Sequence, residues 1–132
     1  MDVNECVSFL LVDSNKVLLE KRAMNKATDP GLITIPGGHI ENNETREQAL
    51  LREMKEELDI TPARYTFLCT LYHPTEELQL IHYYVVDEWT GNIQSQEAEQ
   101  LLWCDLDGEL PVGIEADNVA IGEYARLLNR LK

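Results

Sequence analysis

The sequence predicts a mixed β-sheet with helices packed against it, an α/β or α+β chain, and three observations lead to that class. Short β-rich apolar runs recur between clusters of Gly, Pro, Asn and Asp. One segment, Thr45 to Leu58, contains neither Gly nor Pro and is built from strong helix formers. A last segment near the C-terminus carries an apolar stripe at helical spacing.

Taken in order, Glu5 to Val12 is an apolar strand, Asp13, Ser14 and Asn15 are turn residues, and Lys16 to Lys21 (KVLLEK) answers as the second arm of a hairpin. Pro30, Gly31, Pro36, Gly37 and Gly38 bracket a short strand, LITI. The Thr45 to Leu58 helix places Leu50, Met54 and Leu58 on one side. Pro62 closes this unit. Arg64 to Leu71 and Leu78 to Trp89 then read as strands, the second apolar on both faces and therefore covered on both. After a turn at Thr90, Gly91 and Asn92 come an acidic loop and a short strand around Leu101 to Cys104. Asp117 is expected to cap a final helix whose stripe is Tyr124, Leu127, Leu128 and Leu131.

A chain of 132 residues corresponds to a single domain, residues 1–132, with one real core. Hydrophobic residues at 44% and charged residues at 27% are ordinary globular values, which excludes a disordered or low-complexity chain. No run is long and apolar enough to span a bilayer, and the acidic start is unlike a signal peptide, so a soluble, cytoplasmic protein without a membrane partner is expected. Eleven basic against 24 acidic residues leave a formal charge of -13, which removes the usual electrostatic source of polymeric nucleic-acid binding. Cys6, Cys69 and Cys104 are widely spaced and odd in number, as expected of reduced, buried thiols.

The chemistry concentrates between Gly37 and Ile60, GGHIENNETREQALLREMKEELDI. On a helix, Glu53, Glu56 and Glu57 fall within an arc of about 100°, beside the stripe of Leu50, Met54 and Leu58. A solvated acidic face explains such a run taken alone. The Gly-Gly turn before it supports a second reading, because oxygen ligands at this spacing suit Mg²⁺ or Mn²⁺, hard cations that share their shell with water and phosphates.

These residues resemble the signature of the Nudix hydrolases, G-x5-E-x7-R-E-U-x-E-E-x-G-U with U a bulky aliphatic, matched from Gly38 through Glu44, Arg52, Glu53, Met54, Glu56, Glu57 and Ile60. One position departs: Asp59 stands where the family has glycine, at the helix end where a left-handed residue is wanted, and Asp tolerates that conformation better than most. With LLEKR before the box, PGGHIE entering it, LLWCDL after it, and Asp117 and Asn118 near the end, the chain looks most like the MutT branch.

The resemblance implies the Nudix α/β/α sandwich and a Mg²⁺-dependent attack of water on a diphosphate linked to another moiety, with Mn²⁺ as a substitute cation. It implies that Glu53, Glu56 and Glu57 hold the metal with the Gly37 carbonyl nearby, that Arg52 orients the carboxylates, and that Glu53 is first choice as general base, a ligand role being its alternative. Glu44, early in the helix, is structural. Arg22, Gly38, His39 and Asn118 are candidates for substrate binding, with surface pairing, a positioning role and helix capping the alternatives for Arg22, His39 and Asn118. Glu97, with Glu99 as competitor, is a candidate further ligand from the acidic loop. His73, His82, Trp89 and Trp103 are assigned to structure, the tryptophans as core anchors.

The expected partner is a small-molecule nucleotide: a nucleoside triphosphate cleaved to monophosphate and pyrophosphate. ADP-ribose or another nucleoside diphosphate derivative is the alternative, and a nucleotide-sensing module that does not cleave is the rival from another class. A homodimer is compatible with all three.

Overall fold

A computed structural model describes residues 2–131, and the side chains of residues 2–128. The elements follow the chain as β1 (Val3–Asp13), β2 (Lys16–Lys21), β3 (Ile33–Thr34), β4 (Gly37–His39), α1 (Arg46–Leu58), β5 (Thr61–Pro74), β6 (Leu78–Thr90), β7 (Gln100–Asp105) and α2 (Glu115–Leu131).

The strands form a mixed sheet in the order β3-β2-β1-β6-β5, with β4 pairing β1 and β7 pairing β2. β1 leans on two partners at once. Its tip pairs antiparallel with β2 at Val12 and Asp13, while Val3 to Leu11 run parallel to β6. β2 in turn pairs along its whole length with β7. The hairpin read from the sequence is therefore a tip, with Ser14 and Asn15 at φ 52° and 63° turning it.

Alternation along β1 divides the core into two layers. Val7, Phe9 and Leu11 pack with Leu18, Tyr84 and Val86 under Ala49, Leu50, Met54 and Leu58 of α1. Leu10 and Val12 pack with Val17, Leu19, Ile81 and Tyr83 under Ala116, Ala120 and Ile121 of α2. Burying each large apolar side chain contributes roughly 1.5–3 kcal/mol, so a sheet apolar on both faces requires a helix on each. The result is the α/β/α sandwich.

Several expectations are corrected. Pro62 does not end the unit before the strand: β5 starts at Thr61, and Pro62 is buried beside a register irregularity between Pro62 and Arg64. An edge strand tolerates the missing N–H there. Asp117 is not the cap of α2, which starts two residues earlier; its buried carboxylate receives Ile35 N–H (2.8 Å) and Tyr83 O–H (2.7 Å). In the apolar stripe Tyr124, Leu127 and Leu128 are half-buried, and the side chain of Leu131 lies outside the described residues. Trp89 packs against the layer under α1 as expected, whereas Trp103, stacked on it at 6.3 Å, is 40% exposed rather than anchoring the core. Among the cysteines, all free thiols, only Cys6 is fully buried.

Candidate active site

The helix that carries the acidic run is fixed at both ends by its own sequence. Thr45 is the N-cap, its hydroxyl accepting from Gln48 N–H while the Gln48 side chain accepts from Thr45 N–H, a reciprocal capping box. Asp59 ends the helix in the left-handed region, φ 58° and ψ 38°, as the departure from glycine required, with its N–H returned to the Lys55 carbonyl. The exposed last carbonyls are not left to water alone. Glu57 O and Leu58 O accept from Gln96 N–H and Gln94 N–H, which ties the loop after β6 to the end of α1 and carries Glu97 to the same place.

Glu53 and Glu57 are buried at 8% exposure each, whereas the side chain of Glu56 is half in solvent. Arg52 organises them. Its Nε and Nη2 fork Glu44 at 2.7 and 2.9 Å, Nη1 donates to Glu53 (2.7 Å) and Glu56 (3.1 Å), and Nη2 also donates to the His39 carbonyl. Glu44 precedes the helix and its N-cap rather than lying in the first turn, and its role is to hold Arg52; the guanidinium keeps its carboxyl down at about 2. Burial pushes the Glu53 carboxyl up against the pull of Arg52. Burial, and then the charge of Glu20, push Glu57 up further.

The Gly-Gly segment forms β4, paired antiparallel to β1 at Val7 and Ser8. A Cβ on Gly38 would collide with the Glu53 carboxylate, and one on Gly37 with the Val7 carbonyl. Both glycines are present because strand and carboxylate pass too close for a side chain.

These groups line one open cleft of about 300 Å³. The candidates brought together there are Arg22, Gly37, Gly38, His39, Arg52, Glu53, Glu56, Glu57 and Glu97. Arg22 is oriented by Thr28, Nε donating to its carbonyl (2.9 Å) and Nη2 to its hydroxyl (3.2 Å). Lys26 reaches Glu97 at 3.3 Å. Glu99 is spent on Lys21 outside the cleft, at 3.8 Å. His39 faces Glu77, with Nε2 2.7 Å from Oε1. His73 and His82 are buried structural groups, paired with Asp29 and with Glu5 and Thr70.

Asn118 is not brought into this cleft: it is exposed, and its Nδ2 turns back to the Val112 and Ile114 carbonyls at the start of α2. Its neighbour Asp117 lines the cleft instead, with Thr34, Ile35, Ile81, Ile114 and Cys6. Burial pushes the Asp117 carboxyl up to about 6. The sequence did carry a signal for it. Asp117, Ala120 and Ile121 share the buried face of α2, with buried Ile114 just before the helix, so Asp117 is an acid at a core position. Glu20 is a second missed acid, 3% exposed on β2. It follows three buried apolar residues, Val17 to Leu19, and alternation gave no reason to expect a fourth inward position there.

Residues 4–121 match the family model of the NUDIX domain. The 8-oxo-dGTP diphosphatase of Escherichia coli K12 is 29% identical over 113 residues, 85% of this chain and 83% of the relative. The CTP pyrophosphohydrolase of the same organism is 30% identical over 113 residues, 83% and 82%. A MutT Nudix hydrolase from Burkholderia pseudomallei has the same fold, with a TM-score of 0.83 at 28% identity over 93% of this chain and 98% of that one. Together with Gly38 closed onto Glu53 and an acidic helix ordered by Arg52, this match over most of the chain makes it a member of the Nudix hydrolase family.

Proposed function

We propose that the chain is a MutT-like pyrophosphohydrolase that uses Mg²⁺, or Mn²⁺ in its place, to cleave a nucleoside triphosphate to the monophosphate and pyrophosphate. The observation that carries this reading is the single cleft in which Glu53, Glu56, Glu57 and Glu97 meet the Gly37–Gly38 backbone and the cations Arg22 and Lys26.

The donor set fits a hard cation, being made of oxygens: four carboxylates and the Gly37 carbonyl. Arg52 bridges Glu53 and Glu56, which offsets the repulsion between their like charges. When bound, the metal supplies charge neutralisation of the phosphates and a lowered barrier to water attack.

The protein's own groups do the rest. Arg52 holds Glu53 by Oε1 and leaves Oε2 without an arginine partner, which suits the carboxylate to accept a proton from water. Arg22, steadied by Thr28, lines the cleft as a cationic group for a phosphate. Apolar Ile81 and Ile114, with Asp117, line the part of the cleft suited to a nucleoside. The -13 net charge makes the cation a condition of binding an anionic substrate at all.

The test is a panel of nucleoside triphosphates and diphosphate-linked nucleotides assayed with Mg²⁺ in ¹⁸O water. Release of pyrophosphate carrying the label is expected. Cleavage of ADP-ribose alone would replace the substrate class, and nucleotide binding without turnover would make the chain a sensing module.

A further inference from the structure

Among the described residues two buried side-chain oxygens lack a hydrogen-bond partner, Glu20 Oε2 and Thr34 Oγ1. They are neighbours, because Glu20 and Thr34 face each other across the β2–β3 pair, at 3% and 4% exposure. Thr34 lines the cleft. Leu18, two residues before Glu20 and so on the same face of β2, packs in the layer under α1, which turns Glu20 toward the helix that bears Glu53 and Glu57.

A buried carboxylate oxygen without a donor destabilises a fold, and so does a buried hydroxyl left unpaired. Arg22 offers Glu20 only a distant contact, Nη1 to Oε1 at 3.9 Å, because Thr28 holds the guanidinium. Valine or leucine at position 20 would continue the run of Val17, Leu18 and Leu19 into the same core. A carboxylate oxygen and a neighbouring hydroxyl beside an acidic cleft, neither hydrogen-bonded within the protein, therefore point to donors that arrive with a ligand. A hydrated divalent cation has them, since Mg²⁺ dehydrates reluctantly and keeps several waters.

We propose that Glu20 and Thr34 form the inner wall of the cation site, taking hydrogen bonds from the water shell of the cation held by Glu53, Glu56 and Glu57. This rests on the metal reading given above. Glu20 is then a positioning residue, and groups of that kind change metal affinity by about 10–100-fold when removed.

The experiment is a titration of the full chain with Mn²⁺ alone, followed by electron paramagnetic resonance and water proton relaxation, for wild type, Glu20→Gln, Thr34→Val and Glu57→Gln. The metal-free melting temperature of each is measured alongside. Glu20→Gln should weaken Mn²⁺ binding about tenfold or more, and Thr34→Val should weaken it in the same direction. Metal-free Glu20→Gln should melt no lower than wild type, because an unpartnered charge has been removed. Wild-type Mn²⁺ affinity in both the Glu20 and Thr34 variants, with affinity lost in Glu57→Gln, overturns the inner wall and leaves the metal reading standing. A wild-type chain that binds no Mn²⁺ overturns both. If Glu20→Gln does not fold, Thr34→Val, a change of nearly equal volume, decides the matter by itself.

Discussion

Replacing Asp117 by asparagine is expected to change how folding stability depends on pH. In the folded chain the carboxyl is 1% exposed and pushed by burial from 3.8 up to about 6, despite the Tyr83 hydroxyl and Ile35 amide that favour its charged form. His73 also pulls it down and Asp29 pushes it up. Between those two values the folded state binds a proton that the unfolded state has released, so stability falls as pH rises through the window. At about 1.4 kcal/mol per pH unit, the rise from 3.8 to about 6 corresponds to about 3 kcal/mol lost between about pH 4 and pH 7. Asparagine does not titrate, and its Oδ1 can still accept from Ile35 N–H. Its Nδ2, however, meets a tyrosine hydroxyl that was itself donating, which costs roughly 1–3 kcal/mol at every pH. The variant should therefore be clearly less stable than wild type near pH 4 and close to it near pH 7. Urea unfolding in metal-free buffer at several pH values measures the difference directly. Parallel curves for the two proteins across that range would refute the argument that Asp117 is a strained buried charge.

Turnover should cease on chelation, and Glu57→Gln should lower kcat by two or more orders of magnitude, at least about 2.7 kcal/mol of transition-state stabilisation, with an unchanged circular dichroism spectrum. Full activity in that variant would remove Glu57 from the metal site. Glu97→Gln should shift the metal concentration needed for half-maximal rate, whereas Glu99→Gln, whose carboxylate pairs with Lys21 outside the cleft, should not; the reverse result would exchange their assignments. Asn118→Ala, which loses contacts to the Val112 and Ile114 carbonyls, should lower thermal stability and leave the ranking of kcat/KM among bases as it was. A changed ranking would return Asn118 to base recognition.

What could be read from the sequence is what local chemistry decides. The capped helix, the left-handed Asp59 and the closeness of Gly38 to an acid all follow from residues within about twenty positions of one another, and the spacing of the box records them. The parallel pairing of β1 with β6 joins Val3 to Leu78, and no local pattern announces such a partner. Glu20 was hidden for a related reason: it follows three apolar residues, and its burial is imposed by another strand, with Thr34 beside it. The burial of Asp117 also depends on distant partners, Tyr83 and Ile35, although its place on the apolar face of α2 was legible. Trp103 misleads in the opposite direction, since its size suggests the core while β7 leaves it 40% exposed.

The two amide bonds from Gln94 and Gln96 to the last turn of α1 make the helix and the stretch up to Glu97 one mechanical piece. Chain length between Gly91 and Glu97 is then set by the distance to a helix end, so an inserted residue there would break a cap and swing an acid out of the cleft together. Beyond it, Glu99 N–H bonds to the Lys21 carbonyl at the entrance to β7, which fixes that end independently. Only Glu97 and Ala98 lie between the two anchored residues, Gln96 and Glu99. Slow exchange of the Gln94 and Gln96 amide hydrogens would therefore report the integrity of the acidic helix from outside it, and fraying of its last turn would be felt first as a loosened loop.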